Sequence, residues 1–382
     1  MGITGLPINI MMSQVVIKKC SSYNQEEVFR AISDGLNLLG GIEKFIKPTD
    51  KVLLKPNLLL ESTPEQGVVT HKEVVRAVAR ILKNKCAKIY LGDGPSVWGT
   101  VQDINKVFLT TGMKEVADSE GIELVSFDSR VMKNGYPVTT WLDQVDKIIN
   151  LPKFKSHDLM ILTAAIKNLF GVIPGLHKKE LHLHHVKAQD FAKILVDIFL
   201  IAKPAINIVD GIMGIEGDGP GRSGILKNMG VIVMGEDALS IDSILAIFMH
   251  LKPENILTNV EASKRGIGVM DPKKIEILGE KLPFVLPKTF KLPKTAFYQK
   301  MPEFVIKLAK ALIKIWPFCI KEKCIKCGKC IKSCPKNVIS FNEDKNIVFD
   351  YSSCIRCFCC AETCPVAAID VRRSVFARLL KY

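Results

Sequence analysis

Ten of the twelve cysteines in this 382-residue chain lie from residue 319 onward, and eight of those have the spacing of iron–sulfur ligands. Cys324, Cys327, Cys330 and Cys334, followed by Pro335, read C-x2-C-x2-C-x3-C-P, and Cys354, Cys357, Cys360 and Cys364, followed by Pro365, repeat the pattern. Two-residue spacers let one tight loop offer three thiolates to three irons of a cube. The fourth cysteine, beyond a three-residue spacer, points at the other cube. Cys324, Cys327, Cys330 and Cys364 are therefore expected to hold one [4Fe–4S] cluster, and Cys354, Cys357, Cys360 and Cys334 a second. Each half also offers the four thiolates of a zinc knuckle, but the doubled motif, with 19 residues between its copies, is far more specific to clusters. Cys359 stands where the first repeat has Lys329, and a packed bystander is its simpler reading beside that of an alternative ligand; Cys319 is similarly ambiguous.

This segment resembles the bacterial-type dicluster ferredoxins. Val338-Ile-Ser-Phe and Ile347-Val-Phe-Asp flank a polar turn, which suits the small β-hairpin of that family. The resemblance implies a small α+β module and electron transfer. Six lysines (Lys321, Lys323, Lys326, Lys329, Lys332 and Lys336) surround the first motif. They read either as a solvated face or as a surface that steers an acidic redox partner into place. Residues 286–382 carry +12 of the net charge of +14, so the basic character belongs to the C-terminal part.

Two cysteines before residue 319, Cys20 and Cys86, make no disulfide framework, and cluster ligands need a reducing compartment; a cytoplasmic protein is expected. The N-terminus lacks the basic region of a signal peptide. Phe191–Val209, the most apolar internal run, is interrupted by Lys193, Asp197, Lys203 and Pro204 and reads as a buried helix plus strand.

The elements that must position any further chemistry alternate between apolar, β-branched runs and helical patterns. Strands are expected near Val15–Lys18, Lys51–Lys55, Lys88–Leu91, Glu123–Ser126, Lys147–Leu151, Asn207–Val209 and Val231–Met234. Helices are expected at Gln25–Leu39, His71–Lys83, Ile104–Ser119 and Ala188–Ile201. Near-continuous apolar strands between helices predict an α/β domain with a mainly parallel sheet flanked by helices. The expected organisation is an α/β domain over 14–280, a Pro/Lys linker and amphipathic helix over 281–317 (the helix at 302–316), the ferredoxin module over 318–370 and a basic tail over 371–382.

Polar motifs follow the strands: Lys55-Pro-Asn57, Gly92-Asp-Gly-Pro95, Lys153-Phe-Lys155-Ser-His157, Asp210-Gly211 with Glu216-Gly-Asp218, and Gly235-Glu-Asp237. Ligands of open parallel sheets bind outside the carboxyl ends of the strands, where such loops converge. Leu54-Lys-Pro-Asn-Leu58, Ala165-Ile-Lys-Asn-Leu-Phe-Gly171 and Val209-Asp-Gly211 with Glu216-Gly-Asp-Gly-Pro220 are similar to motifs of domain of unknown function 362 over roughly residues 14–280. That family is often fused to a ferredoxin module, and the resemblance implies no particular reaction.

Residue chemistry then carries the functional expectation. Lys55, Lys153, Lys155 and Lys167, with Asn57, Asn168 and Asp218, are candidate binders of a small anionic substrate. His157 is a candidate proton donor, and Lys167 and Asp210 are candidate catalytic groups. Asp210, Glu216, Asp218 and Asp237 also have the oxygen chemistry of a divalent-metal site, although Asp and Gly are common in turns. Asp242 reads as helix-start chemistry. His177, His182, His184 and His185 cluster without the spacing of a third metal ligand. No nucleotide-binding glycine motif is present, and few aromatics interleave the basic tail, which argues against nucleic acid.

The reading is an oxidoreductase-like protein that passes electrons through two clusters to an anion at the strand ends. The alternative is a non-catalytic carrier or adaptor whose α/β domain docks a redox partner. Contact of helix 302–316 and the tail with an anionic membrane surface is a third reading; the simpler one is that both pack on the protein itself.

Overall fold

A computed structural model describes residues 12–97, 100–101, 103–175, 177–178, 181, 188–296 and 315–373. Its strands are β1 (Ser13–Lys19), β2 (Lys51–Pro56), β3 (Lys88–Asp93), β4 (Ser96–Val97), β5 (Thr100–Val101), β6 (Glu123–Ser126), β7 (Arg130–Lys133), β8 (Tyr136–Thr139), β9 (Lys147–Leu151), β10 (Lys153–His157), β11 (Ile161–Thr163), β12 (Ile206–Gly217), β13 (Gly224–Gly235), β14 (Ile275–Gly279), β15 (Ile315–Cys319), β16 (Ile339–Phe341), β17 (Ile347–Phe349) and β18 (Ile369–Arg373).

Alternation along each apolar strand builds two core faces from one sheet. On β2, Val52 and Leu54 join one cluster and Leu53 the other. The first face is covered by Gln25–Leu38 and Lys72–Leu82, the second by Ala188–Ala202 and Ala238–Phe248. The main sheet runs β14-β1-β13-β12-β9-β2-β3-β6, with β10 and β11 branching from β12. β12, β9, β2, β3 and β6 are successively parallel, while β13 is antiparallel to both β1 and β12. The expected α/β architecture is therefore present as a mainly parallel, mixed sheet.

Three details depart from the sequence reading. Lys153–His157 is a strand rather than a loop: Pro152 follows β9, and the chain pairs in parallel with β12 from Lys153, with a register shift between Lys153 and Lys155, fully buried. β12 does not end at Val209 but continues as a long hairpin with β13, so Asp210 and Glu216 lie within a strand. The helix expected at Ile104–Ser119 is two, Ile104–Thr110 and Met113–Glu120, broken where Gly112 takes φ 75°.

The C-terminal module pairs β15 with β18 and β16 with β17, both antiparallel, around two short helices, Lys329–Ser333 and Cys359–Thr363. Ile315 and Trp316, expected to end a helix, open β15, so the module begins there and extends through Arg373 in β18. Residues 302–314, the tail from Ser374, and His182, His184 and His185 lie outside the described residues. Two cations fix the module against the α/β domain. Arg222 donates to the Pro365 carbonyl at 2.8 Å and to the Glu61 carbonyl at 3.0 Å. Lys294 bridges Asp218 at 2.8 Å and Asp370 at 2.6 Å.

Candidate functional site

The module places its thiols in two hollows. One is lined by Cys324, Cys327, Cys330 and Cys364 with Ile347, Ala368 and Ile369. The other is lined by Cys354, Cys357, Cys360 and Cys334 with Ile339, Phe349 and Phe358. Each therefore gathers three cysteines of one repeat and the last cysteine of the other. Short turns make this crossing: the backbone N–H groups of Val338 and Ala368 donate to the Cys334 and Cys364 sulfurs at 3.4 and 3.1 Å, aiming each fourth thiol away from its own loop. Burial, and then the neighbouring thiols, push Cys330 up to about 11 and Cys360 well above the usual thiol range. Four thiols gathered in an apolar-lined hollow are a donor set that fits an iron–sulfur cluster. Among the described residues no three His, Cys, Asp or Glu side chains stand close enough to share one metal ion.

Cys359 is fully buried in the α/β core cluster that also contains Leu169, Phe170 and Val172, and its sulfur lies 3.0 Å from that of Cys357. Cys319 lies beside Cys324, and burial pushes its thiol up to about 12.

In the α/β domain, the carboxyl ends of adjacent strands form a second polar centre, this one of charges. On β2, Lys55 is fully buried and its ammonium is 2.7 Å from Asp93 at the end of β3. The other Asp93 oxygen accepts the Leu58 N–H at 2.8 Å. Gly171 closes over this pair: a Cβ there would fall 2.1 Å from the Asp93 carboxylate and 2.5 Å from the Lys55 ammonium. On the far side of β9, Lys153 and Asp210 are both fully buried and 2.8 Å apart. Asp210 also accepts the His71 N–H and the Tyr23 hydroxyl, each at 2.9 Å, and the Tyr23 and His71 rings stack at 3.6 Å. Burial lowers both lysines, opposed by their carboxylates; it pushes His71 down to about 4 and Tyr23 well above the phenol range.

A chain of side-chain amides runs across the strand ends beside the two pairs. Lys155 donates to Asn57 at 2.7 Å, Asn57 to Asn168 at 3.0 Å, Asn168 to Asn150 at 2.8 Å and Asn150 to Asn207 at 2.8 Å. Asn168 also reaches the Lys55 carbonyl at 3.3 Å. Asp242, inside the helix Ala238–Phe248, accepts from the Ala165 and Ile166 N–H groups at the start of the short helix Ala165–Asn168, at 2.8 and 3.1 Å; burial raises it to about 7.

The structure thus brings Lys55, Asn57, Lys155 and Asn168 into one hydrogen-bonded chain, with Lys153 and Asp210 a strand away. Lys167, half-buried, lies in the electrostatic neighbourhood of Lys178 together with Lys55 and Asp93. Two expected site residues sit elsewhere. Asp218 binds Lys294 at the module interface through its backbone N–H and ammonium, both 2.8 Å. His157 caps the turn after β10, its Nδ1 accepting from Leu159 and Met160 at 3.0 and 3.2 Å, which fixes that nitrogen as an acceptor. The remaining acids of the divalent-metal expectation have protein partners too: Glu216 accepts from Lys291 at 3.0 Å, and Asp237 caps Ala238–Phe248.

Sequence reasoning missed Tyr23, His71, Asn150, Asn207 and Lys178. Asn150 and Asn207 had a usable signal, being amides inside the apolar runs 148–151 and 206–209. Lys178 is buried, donates to the Gly94 carbonyl and is brought down by burial to about 8.

Residues 52–246 match the family model described as domain of unknown function DUF362, and residues 323–368 match that of a 4Fe-4S dicluster domain. The thylakoid-associated protein sll1697 of Synechocystis sp. is 30% identical over 324 residues, 80% of this chain and 99% of that protein. A crystal structure of a Thermotoga maritima protein covers 52% of this chain and 53% of its own at 12% identity and TM-score 0.35, a likeness too low to carry structural inference. Among the described residues no helix is long and apolar enough to cross a membrane. The chain belongs to the DUF362 family, carries a 4Fe-4S dicluster ferredoxin domain at its C-terminal end, and is an iron–sulfur electron-transfer protein.

Proposed function

We propose that this protein conducts electrons through two [4Fe–4S] clusters into its α/β domain, where a small anionic substrate is reduced near the carboxyl ends of β2 and β3. Bound clusters would supply reversible one-electron storage. Cys324, Cys327, Cys330 and Cys364 would hold one, and Cys354, Cys357, Cys360 and Cys334 the other. The observation that carries this reading is the composition of the two hollows, each with three thiols from one repeat and one from the other. The route inward is supported by Cys359, next to ligand Cys360, which is buried in the core cluster that also contains Leu169 and Phe170. The same short segment carries Gly171, which lies over the Lys55–Asp93 pair.

An anion is favoured because Lys55 and Lys178 share the neighbourhood of a single carboxylate, Asp93, in a buried setting. Lys178, brought close to neutrality, is suited to give up a proton there. Lys153 and Asp210 neutralise each other and would hold the neighbouring strand end rather than bind substrate. That same internal pairing favours the second reading, a carrier whose α/β domain positions the clusters for a partner without reacting. A reducing compartment such as the cytoplasm suits either.

Anaerobic reconstitution is expected to yield about eight iron and eight sulfide per chain. Two tightly bound zinc ions with no iron incorporated would refute the cluster assignment. On the reconstituted protein, thermal shifts with small carboxylates and inorganic phosphate separate the two readings. A shift that is lost in Lys178→Met supports the substrate site, and no shift with any of them favours the carrier.

A further inference from the structure

The two cysteine repeats are copies of one motif placed in opposite surroundings. In the first, Cys327 is exposed and Ile325 beside it is 60% exposed. In the second, the equivalent Cys357 and Ile355 are partly covered and Cys359 is fully buried in the α/β core. Charge divides in the same way. Between Lys321 and Lys336 there are six lysines, all exposed, and one acid, Glu322; between Tyr351 and Val366 there is one base, Arg356, and one acid, Glu362. The module cannot swing to exchange these roles without breaking Arg222–Pro365 and Lys294–Asp370.

We infer that the first repeat is the receiving end of the electron path, and that its lysine-rimmed Ile325 face docks an acidic one-electron carrier protein. This rests on the two-cluster reading. An exposed aliphatic residue between two cysteine ligands gives a small apolar contact, and the surrounding ammoniums give the charged rim that steers an acidic partner and fixes its orientation. One electron leaves the reduced carrier, which is thereby oxidised, and is accepted at the cluster of the first quartet; no bond forms and no atom is exchanged. The second quartet, whose Cys357 packs against the α/β core cluster that buries Cys359, then faces the interior. Because recognition is by exposed charge, salt must slow it.

The test uses the full-length, anaerobically reconstituted protein, with iron content and visible spectrum recorded first for every variant, so that loss of a cluster is seen separately from loss of docking. Stopped-flow reduction is followed with two donors, reduced flavodoxin as the acidic carrier and the methyl viologen radical as a small cationic donor. Lys326→Glu/Lys329→Glu with full iron is expected to lower the second-order rate with flavodoxin by tenfold or more and to flatten its fall with salt, leaving the viologen rate undiminished. Arg356→Glu, on the other repeat, is expected to stay within twofold. Equal losses in the two variants, or a Lys326→Glu/Lys329→Glu protein that keeps the wild-type rate and salt slope, would overturn the assignment.

Discussion

The cysteine hollows and the strand-end centre are both clusters of ionisable groups, the first partly exposed and the second buried, and they are balanced in opposite ways. In the hollows thiol faces thiol, and burial, then the neighbouring thiols, raise Cys330 and Cys360. At the strand ends cation faces anion: Lys55 meets Asp93 and Lys153 meets Asp210 at hydrogen-bonding distance. A group of like donors with nothing of opposite sign among them calls for something from outside, here iron. A group that pairs internally is already complete and holds the fold. Lys178 is the exception at the strand ends, since it adds a second ammonium to the neighbourhood of one carboxylate, and chemistry is best sought there.

That contrast breaks most visibly at Lys153–Asp210. Asp210→Asn leaves a buried ammonium without its counter-charge and should cost about 3–5 kcal/mol in chemical unfolding of the α/β domain. Lys153→Met/Asp210→Leu, which removes both charges, should recover a large part of that. A single substitution costing under about 1 kcal/mol would mean that the pair is not self-contained. Gly171→Ala comes next, because its new methyl group would overlap both members of the Lys55–Asp93 pair. About 1–3 kcal/mol of destabilisation is expected with the iron content unchanged; a neutral effect would show that this centre has room to spare.

The smallest effect is a titration. The Lys178 ammonium should lose its proton near pH 8 rather than at the ordinary lysine value of 10.5. The unfolded chain keeps that proton to higher pH, so stability should rise as pH goes from about 8 to 10.5, and this gain should vanish in Lys178→Met. Lysine-labelled NMR that shows no resonance titrating below about pH 10 would remove Lys178 from the proton-donor role.

The module was legible because its chemistry is written in spacing. Eight cysteines and two prolines at fixed separations state which sulfurs must meet, and the fold supplies only the turn. The sheet was legible for a related reason: apolar runs such as Lys51–Pro56 and Lys147–Leu151 leave few alternatives to buried parallel strands. The strand-end centre was legible only in outline. Lys55, Lys153 and Lys155 stood out as charges after apolar runs, but their partners come from distant segments. Tyr23 lies just before the first helix, and Asp93 ends a strand two positions away from β9 in the sheet. Nothing local says whether a lysine past a strand reaches solvent or folds inward onto a carboxylate. β10 was missed because Pro152 reads as an end, whereas the chain moves across to β12 and continues.

The most direct test of the central claim is the iron content of two double variants. With interleaved quartets, Cys334 and Cys357 serve the same cluster, so Cys334→Ala/Cys357→Ala should retain about four iron per chain, while Cys334→Ala/Cys327→Ala damages both clusters and should retain clearly less. The reverse order, with Cys334→Ala/Cys327→Ala keeping about four iron and Cys334→Ala/Cys357→Ala losing both clusters, would contradict the crossing of sulfurs between the repeats.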